Sequence, residues 1–131
     1  MLQVLCDDET GELEISGSRS DYLDLGSLLR NEQGEFTLHS VDFPFPYSRS
    51  LSTIGFSSKP GKISITLSGD GQRLEICGDS GYLDLLAEEF EEFASESDVS
   101  DHLHLEYFAG HTFLAAKSKP LVVAFLRDTA R

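Results

Sequence analysis

The chain contains Leu13-Glu14-Ile15-Ser16-Gly17 followed by Ser20-Asp21-Tyr22-Leu23-Asp24-Leu25, and it repeats them as Leu74-Glu75-Ile76-Cys77-Gly78 followed by Ser80-Gly81-Tyr82-Leu83-Asp84-Leu85. Nine positions are identical, and a slippage of one residue between glycine and serine is the only gap. A period of about 61 residues in a chain of 131 leaves room for two copies of one unit. The sequence therefore predicts a tandem duplication, with repeats at 1–61 and 62–131.

Each copy is predicted to contain the same elements. Alternating apolar residues around a turn indicate a hairpin at 2–17 and another at 63–78. A helix follows, with Ser20 as the N-cap in the first copy and Asp79 or Ser80 in the second. Two further strands are expected after each helix, at 35–41 and 51–56 and at 102–108 and 120–126. The pattern predicts an α+β fold of two ββαββ repeats with pseudo-twofold symmetry, antiparallel sheets and two helices packed on one face.

Size and composition bound the class of protein. A unit of about 60 residues buries a marginal core, so we expect both copies to form one compact domain over 1–131. The net charge of −13 argues against a nucleic-acid or anionic-membrane surface and favours a basic protein partner. The sequence has no apolar run long enough for a membrane span and only two cysteines, and because its start turns acidic early and lacks basic residues we expect no signal peptide. These features predict a cytoplasmic protein with free thiols.

The second helix is strongly acidic. Glu88, Glu89, Glu91 and Glu92 fall mainly outside its apolar stripe, and residues 74–116 contain eleven Asp or Glu but no Lys or Arg. A charge run of this kind is most often a solvated helix face. It is also the pattern expected of a surface that binds a basic partner, and these four glutamates are our first candidates for such a surface.

A histidine-rich strand is the second candidate site. His102, His104 and Glu106 alternate with Leu103 and Leu105, so a strand places the three polar side chains on one face. Two imidazoles and a carboxylate suit zinc, and His111 could supply a fourth ligand, which leaves a metal-dependent enzyme as one alternative. The plainer interpretation is a solvent-facing strand edge. The first copy has Glu35, Thr37 and His39 at the corresponding places, so most of this set is not shared.

Other catalytic chemistry has little support in the sequence. It contains neither a GxSxG nucleophile motif nor a P-loop nor GxGxxG, so we expect no cofactor and no enzymatic activity. Phe43, Phe45 and Tyr47 lie in an aromatic, proline-rich loop. As an exposed patch they favour another alternative, a homodimeric interaction module.

Part of the chain resembles the immunity proteins of bacterial polymorphic-toxin systems, in particular the family numbered thirty-two. The resemblance is carried by Leu74-Glu75-Ile76-Cys77-Gly78, His102-Leu103-His104-Leu105-Glu106 and Ser118-Lys119-Pro120-Leu121-Val122-Val123. One such unit is typical of the family, so this chain looks like a duplicated version. The resemblance implies a non-enzymatic cytoplasmic protein that neutralises a toxin by binding it. Glu88, Glu89, Glu91, Glu92, His102, His104 and Glu106 are the residues expected to bind that partner.

Overall fold

The computed structural model describes residues 1–31 and 33–126 of the chain. In these residues it contains two helices, α1 (Arg19–Arg30) and α2 (Ser80–Glu96), and nine strands. The strands are β1 (Gln3–Cys6), β2 (Leu13–Gly17), β3 (Gln33–Thr37), β4 (Arg49–Ser50), β5 (Thr53–Ser58), β6 (Ser64–Leu67), β7 (Arg73–Gly78), β8 (His102–Leu105) and β9 (Leu121–Phe125). None of the helices in these ranges is both long enough and apolar enough to cross a membrane.

The helix starts follow from capping side chains. Ser18 accepts a hydrogen bond from the backbone of Asp21, whose carboxylate accepts in return from the backbone of Ser18, so the two form a capping box. Asp79 caps α2 by accepting from the backbone N–H of Gly81. The prediction of Asp79 is confirmed, whereas Ser20 is wrong because it already lies within α1.

Both sheets combine strands from the two halves of the chain. The five-stranded sheet A has the order β4-β1-β2-β9-β8, and the four-stranded sheet B has the order β3-β5-β7-β6. In sheet A, β2 runs parallel to β9 with Ile15 opposite Val123. In sheet B, β5 runs parallel to β7 with Phe56 opposite Ile76. The order β1-β2-β9-β8 thus corresponds, strand for strand, to β6-β7-β5-β3.

The observed pairing confirms the α+β class and corrects two details. We expected antiparallel sheets, but the sheets are mixed, because each hairpin meets the other half's last strand in parallel orientation. The strand predicted at 102–108 ends at Leu105, which leaves Glu106 outside it. A shared ancestry of the two halves stays a prediction, although their element orders correspond.

The two helices bury equivalent positions at a constant spacing of 61 residues. The fourth residue after the cap is buried in each, Tyr22 in α1 and Leu83 in α2. The same spacing relates the buried Leu25 to Leu86 and the buried Leu29 to Phe90. The slippage in the sequence comparison therefore has no structural counterpart. The identical tyrosines, Tyr22 and Tyr82, occupy different positions on their helices, the first fully buried and the second only partly.

Tyr22 joins α1 to the contact between the two halves in sheet A. Its hydroxyl contacts the carbonyl oxygens of Ile15 on β2, at 3.1 Å, and of Ala124 on β9. Its ring packs against Phe90, Phe93 and Phe125 with centroid distances of 5.6–5.9 Å. The buried side chains of both helices and both sheets belong to one apolar cluster. The two halves therefore share a core.

Loops cover the outer sides of both hairpins. In the first half, Ser48 N donates to Cys6 O and Leu51 N donates to Val4 O, both at 2.9 Å. In the second half, Ile63 N donates to Phe113 O and Ala115 N donates to Ile63 O, both at 2.7 Å. These bonds occupy backbone groups that an open strand edge would leave available for pairing with another chain.

Candidate functional site: an acidic groove beside the second helix

A groove runs along one side of α2. It consists of two adjoining depressions of about 220 and 170 Å³ that share Glu89 and Glu92. Glu88 and Glu96 extend the row of carboxylates, so four glutamates lie along one face of the helix. The remaining lining residues are Leu85, Phe93, Ser97, Leu103, Thr112 and Phe113. We call this feature the acidic groove.

The electrostatics of the acidic groove favour a cation. Burial, followed by the charges of Glu92 and Glu88, raises the pKa of Glu89. The three carboxylates therefore repel one another in the free protein, and a positive charge placed between them would relieve that repulsion. No basic side chain is among the lining residues in the part of the chain that the structure describes.

Glu91 lies apart from the other three predicted glutamates. Its carboxylate accepts two hydrogen bonds from Arg30 of α1, at 2.6 Å from Nη2 and 3.1 Å from Nε. This arrangement lowers the pKa of Glu91, chiefly through the hydrogen bond to Arg30. The side chain also covers Gly26, where an added Cβ would lie 2.8 Å from the Glu91 carboxylate. Glu91 therefore joins the two helices, with its charge compensated by Arg30.

His102 and His104 lie on the opposite side of β8 from the acidic groove. Both are exposed, whereas Leu105 is buried and Leu103 lines the groove. His104 pairs with Val122 on β9, which pairs in turn with Glu14 on β2, so these side chains share the outer face of sheet A. The predicted alternation is confirmed from His102 to Leu105 but does not extend to Glu106, and the histidines and the glutamates of α2 do not form one surface.

The geometry does not support the alternative of a metal site. Within 1–31 and 33–126, no group of three or more His, Cys, Asp or Glu side chains is placed to hold a metal ion. His111 has another role, because its Nδ1 accepts hydrogen bonds from Phe113 N at 3.2 Å and Leu114 N at 3.0 Å. Its ring packs between Phe108 and Phe113, each at a centroid distance of 4.8 Å. His111 thus holds the loop that supplies Phe113 to the acidic groove.

A larger depression, of about 670 Å³, lies elsewhere. It is broad and open, and it is lined by Ser52, Thr53, Ser68, Gly69, Asp70, Gln72 and Arg73. Its one acidic side chain, Asp70, accepts a 2.6 Å bond from Ser68 and caps the turn at Gln72 N. We assign it no function because both of its charged side chains have structural roles, Asp70 in the turn and Arg73 in an ion pair with Glu35.

The comparison with known families supports the predicted resemblance. Residues 73–126 match the model of the family Immunity protein 32. The match covers β7, α2, β8 and β9, and with them all four glutamates of the acidic groove, and it confirms the resemblance inferred from the sequence. Neither a curated protein nor a solved structure matches the chain. Over these residues the chain is therefore similar to a family of immunity proteins.

Proposed function

We propose that this chain binds a basic protein toxin and neutralises it without catalysing a reaction. The observation that carries the proposal is the acidic groove, which lies within the residues that match the immunity family. Its row of uncompensated carboxylates suits Lys or Arg side chains, and its apolar floor suits their aliphatic stems. A nuclease-like toxin has such a basic face, and occupying that face would exclude its nucleic-acid substrate.

The proposal assigns different roles to the predicted binding residues. Glu88, Glu89 and Glu92, together with Glu96, make the direct contacts. Glu91 keeps α2 in place against α1 through Arg30. His102, His104 and Glu106 lie outside the groove lining, so we do not assign them a contact with the toxin inside the groove.

The test is a calorimetric titration of the chain with an inactivated toxin domain, taken from a toxin gene that a survey of the neighbouring genes identifies. We expect the double variant Glu88→Gln/Glu92→Gln to weaken binding, and we expect binding to fall by roughly tenfold as salt rises to about 0.5 M. The control is Asp24→Asn/Glu75→Gln, which makes the same change in net charge outside the groove. Equal losses in both double variants would mean that net charge, and not the groove, controls binding.

The homodimeric module is a second candidate, which rests on the exposed Phe43 and Phe45. Sedimentation analysis over a range of protein concentrations distinguishes the homodimeric module from the toxin-binding protein. A concentration-dependent dimer that fails to bind the toxin would favour the homodimeric module.

A further inference from the structure

Two phenylalanines project from the loop between β3 and β4. Phe43 and Phe45 are each 90% exposed, the highest exposures among the large apolar side chains of the described residues. They flank Pro44 within residues 42–47, which we call the aromatic tip. Two neighbouring aromatic rings in water are unfavourable for the free protein and are a feature of surfaces that bind a partner.

The aromatic tip is held in place at its base. His39 N donates to Leu2 O at 2.8 Å before the tip, and Ser48 N donates to Cys6 O at 2.9 Å after it. Tyr47 N donates to Pro44 O at 2.9 Å, and the Tyr47 hydroxyl donates to Glu12 at 3.2 Å. The two phenylalanine rings are therefore presented on an ordered loop, which lowers the entropic cost of binding.

Several carboxylates lie near the base of the tip. Burial raises the pKa of Tyr47 to about 12, with further contributions from the charges of Glu14, Glu12 and Asp7. Asp42 is exposed within the tip itself. The neighbouring cation, Arg49, is held by Asp8 at 2.8 Å. Near the base of the tip these carboxylates outnumber the cations Arg49 and Lys119, and the excess of negative charge suits a partner whose apolar pocket has a basic rim.

The same charges disfavour a second copy of this chain as the occupant. A symmetric contact would bring the carboxylates of both copies together. Four phenylalanine rings, at about 200 Å² each, bury about 800 Å², whereas a stable interface needs about 1,200 Å². The remaining area would have to come from the surrounding acidic residues.

We infer that Phe43 and Phe45 anchor the chain in an apolar, basic-rimmed pocket of its toxin partner. This inference rests on the proposed function for the identity of the partner, and it adds a second contact surface to the acidic groove. The aromatic tip lies outside residues 73–126, the part that matches the immunity family. The first half of the chain would therefore contribute affinity that the family match does not account for.

The experiment compares Phe43→Ala/Phe45→Ala with the wild type in the same titration against the inactivated toxin domain. Truncation of two anchor residues should raise Kd by roughly 30-fold or more. This loss of affinity should persist at high salt, because apolar contacts are not screened. The loss of affinity caused by Glu88→Gln/Glu92→Gln should instead shrink at high salt. Leu23→Ala is the control, since it removes an exposed leucine from α1 and should leave Kd unchanged. Thermal unfolding should be the same for the wild type, the double alanine variant and Leu23→Ala.

Three results would overturn the inference, and they differ in what they say about the proposed function. If the wild type binds and the double alanine variant binds equally well, the anchor is wrong and toxin binding stands. If the wild type itself does not bind the toxin domain, both the proposed function and the inference that Phe43 and Phe45 bind the toxin are wrong. If sedimentation shows a wild-type dimer that the double alanine variant abolishes, the occupant is a second copy.

Discussion

Arg30 and Glu91 link the two helices by a bidentate contact, with Nη2 2.6 Å from Oε1 and Nε 3.1 Å from Oε2. The contact makes Glu91 different from its neighbours on α2, because its charge is compensated by the other half of the chain. Glu88, Glu89 and Glu92 form no ion pair with another described side chain, and they line the acidic groove. The acidic run thus divides into one structural residue and a set available to a partner.

Glu91→Gln is predicted to destabilise the fold without weakening toxin binding. The folded-state pKa of Glu91 is lowered, so its contribution to stability is present above pH 4.5 and is lost as pH falls through the folded-state value. Thermal unfolding at pH 7 should therefore show a lower Tm for the variant, and the difference from wild type should shrink toward acid pH. A wild-type Tm combined with weakened toxin binding would place Glu91 at the partner surface instead.

Glu89→Gln is predicted to stabilise the fold and to weaken toxin binding. The pKa of Glu89 is raised by burial and by Glu92 and Glu88, so the folded protein binds more protons than the unfolded chain just above pH 4.5. Stability from this group falls as pH rises through the folded-state value, and neutral glutamine removes that penalty. The variant should unfold at a higher temperature at pH 7 and bind the toxin more weakly. A lower Tm would contradict the uncompensated repulsion in the groove.

His111 is predicted to make stability depend on pH below neutrality. Burial, with a smaller effect of Lys62, lowers its pKa, and its Nδ1 must be unprotonated to accept from Phe113 N and Leu114 N. The stabilisation is therefore complete above pH 6.5 and is lost as pH falls through the lowered value. His111→Asn keeps a short side-chain acceptor that does not titrate. Urea unfolding from pH 7 to 5 should show a smaller loss for this variant than for wild type.

The two sequence-identical tyrosines are predicted to differ in energetic importance. Tyr22→Phe leaves the carbonyls of Ile15 and Ala124 without the buried hydroxyl and should cost about 1–3 kcal/mol. Tyr82→Phe, at the partly buried position of α2, should change the free energy of unfolding by less than about 0.5 kcal/mol. Denaturant unfolding of both variants measures the difference. Equal losses of unfolding free energy in the two variants would contradict the alignment of the two helices at a spacing of 61 residues, in which Tyr22 corresponds to Leu83 and not to Tyr82.

The parts of the fold that depend on local sequence were predictable. Alternating apolar residues and glycine-containing turns identified both hairpins, and Asp79 identified the start of α2. The parts of the fold that depend on contacts between distant residues were not predictable. Nothing local shows that β2 pairs with β9, because that choice depends on how the two halves meet. Sequence identity was misleading at Tyr22 and Tyr82, where burial follows a different register.

The division of the acidic helix was partly visible in the sequence. Leu85, Glu88, Glu89, Glu92 and Glu96 recur at spacings of three and four, which places them on one helix face. Glu91 lies three residues after Glu88, but at about 100° per residue it is rotated by about 120° from the centre of this face, a signal that the sequence analysis did not use. The floor residues Leu103 and Phe113 were missed because they join the groove from β8 and from the loop held by His111.

The hairpin of each half pairs with the last strand of the other half. We therefore predict that the two halves fold only together. Fragment 1–61 would lack β9 beside β2, and fragment 62–131 would lack β5 beside β7. Each fragment alone should show little secondary structure by circular dichroism, and an equimolar mixture should recover the spectrum of the intact chain. A fragment that folds cooperatively by itself would contradict the shared core.

The loop between β3 and β4 has fixed ends and a projecting tip, and that division has a consequence for how recognition can change. Bonds from Ser48 and Leu51 to β1 hold its base in the sheet, whereas residues 42–47 add little to the core. The tip is therefore a variable segment on a base that is fixed by hydrogen bonds. Its sequence can be exchanged for one that suits another toxin at little cost in stability, as long as the base is kept.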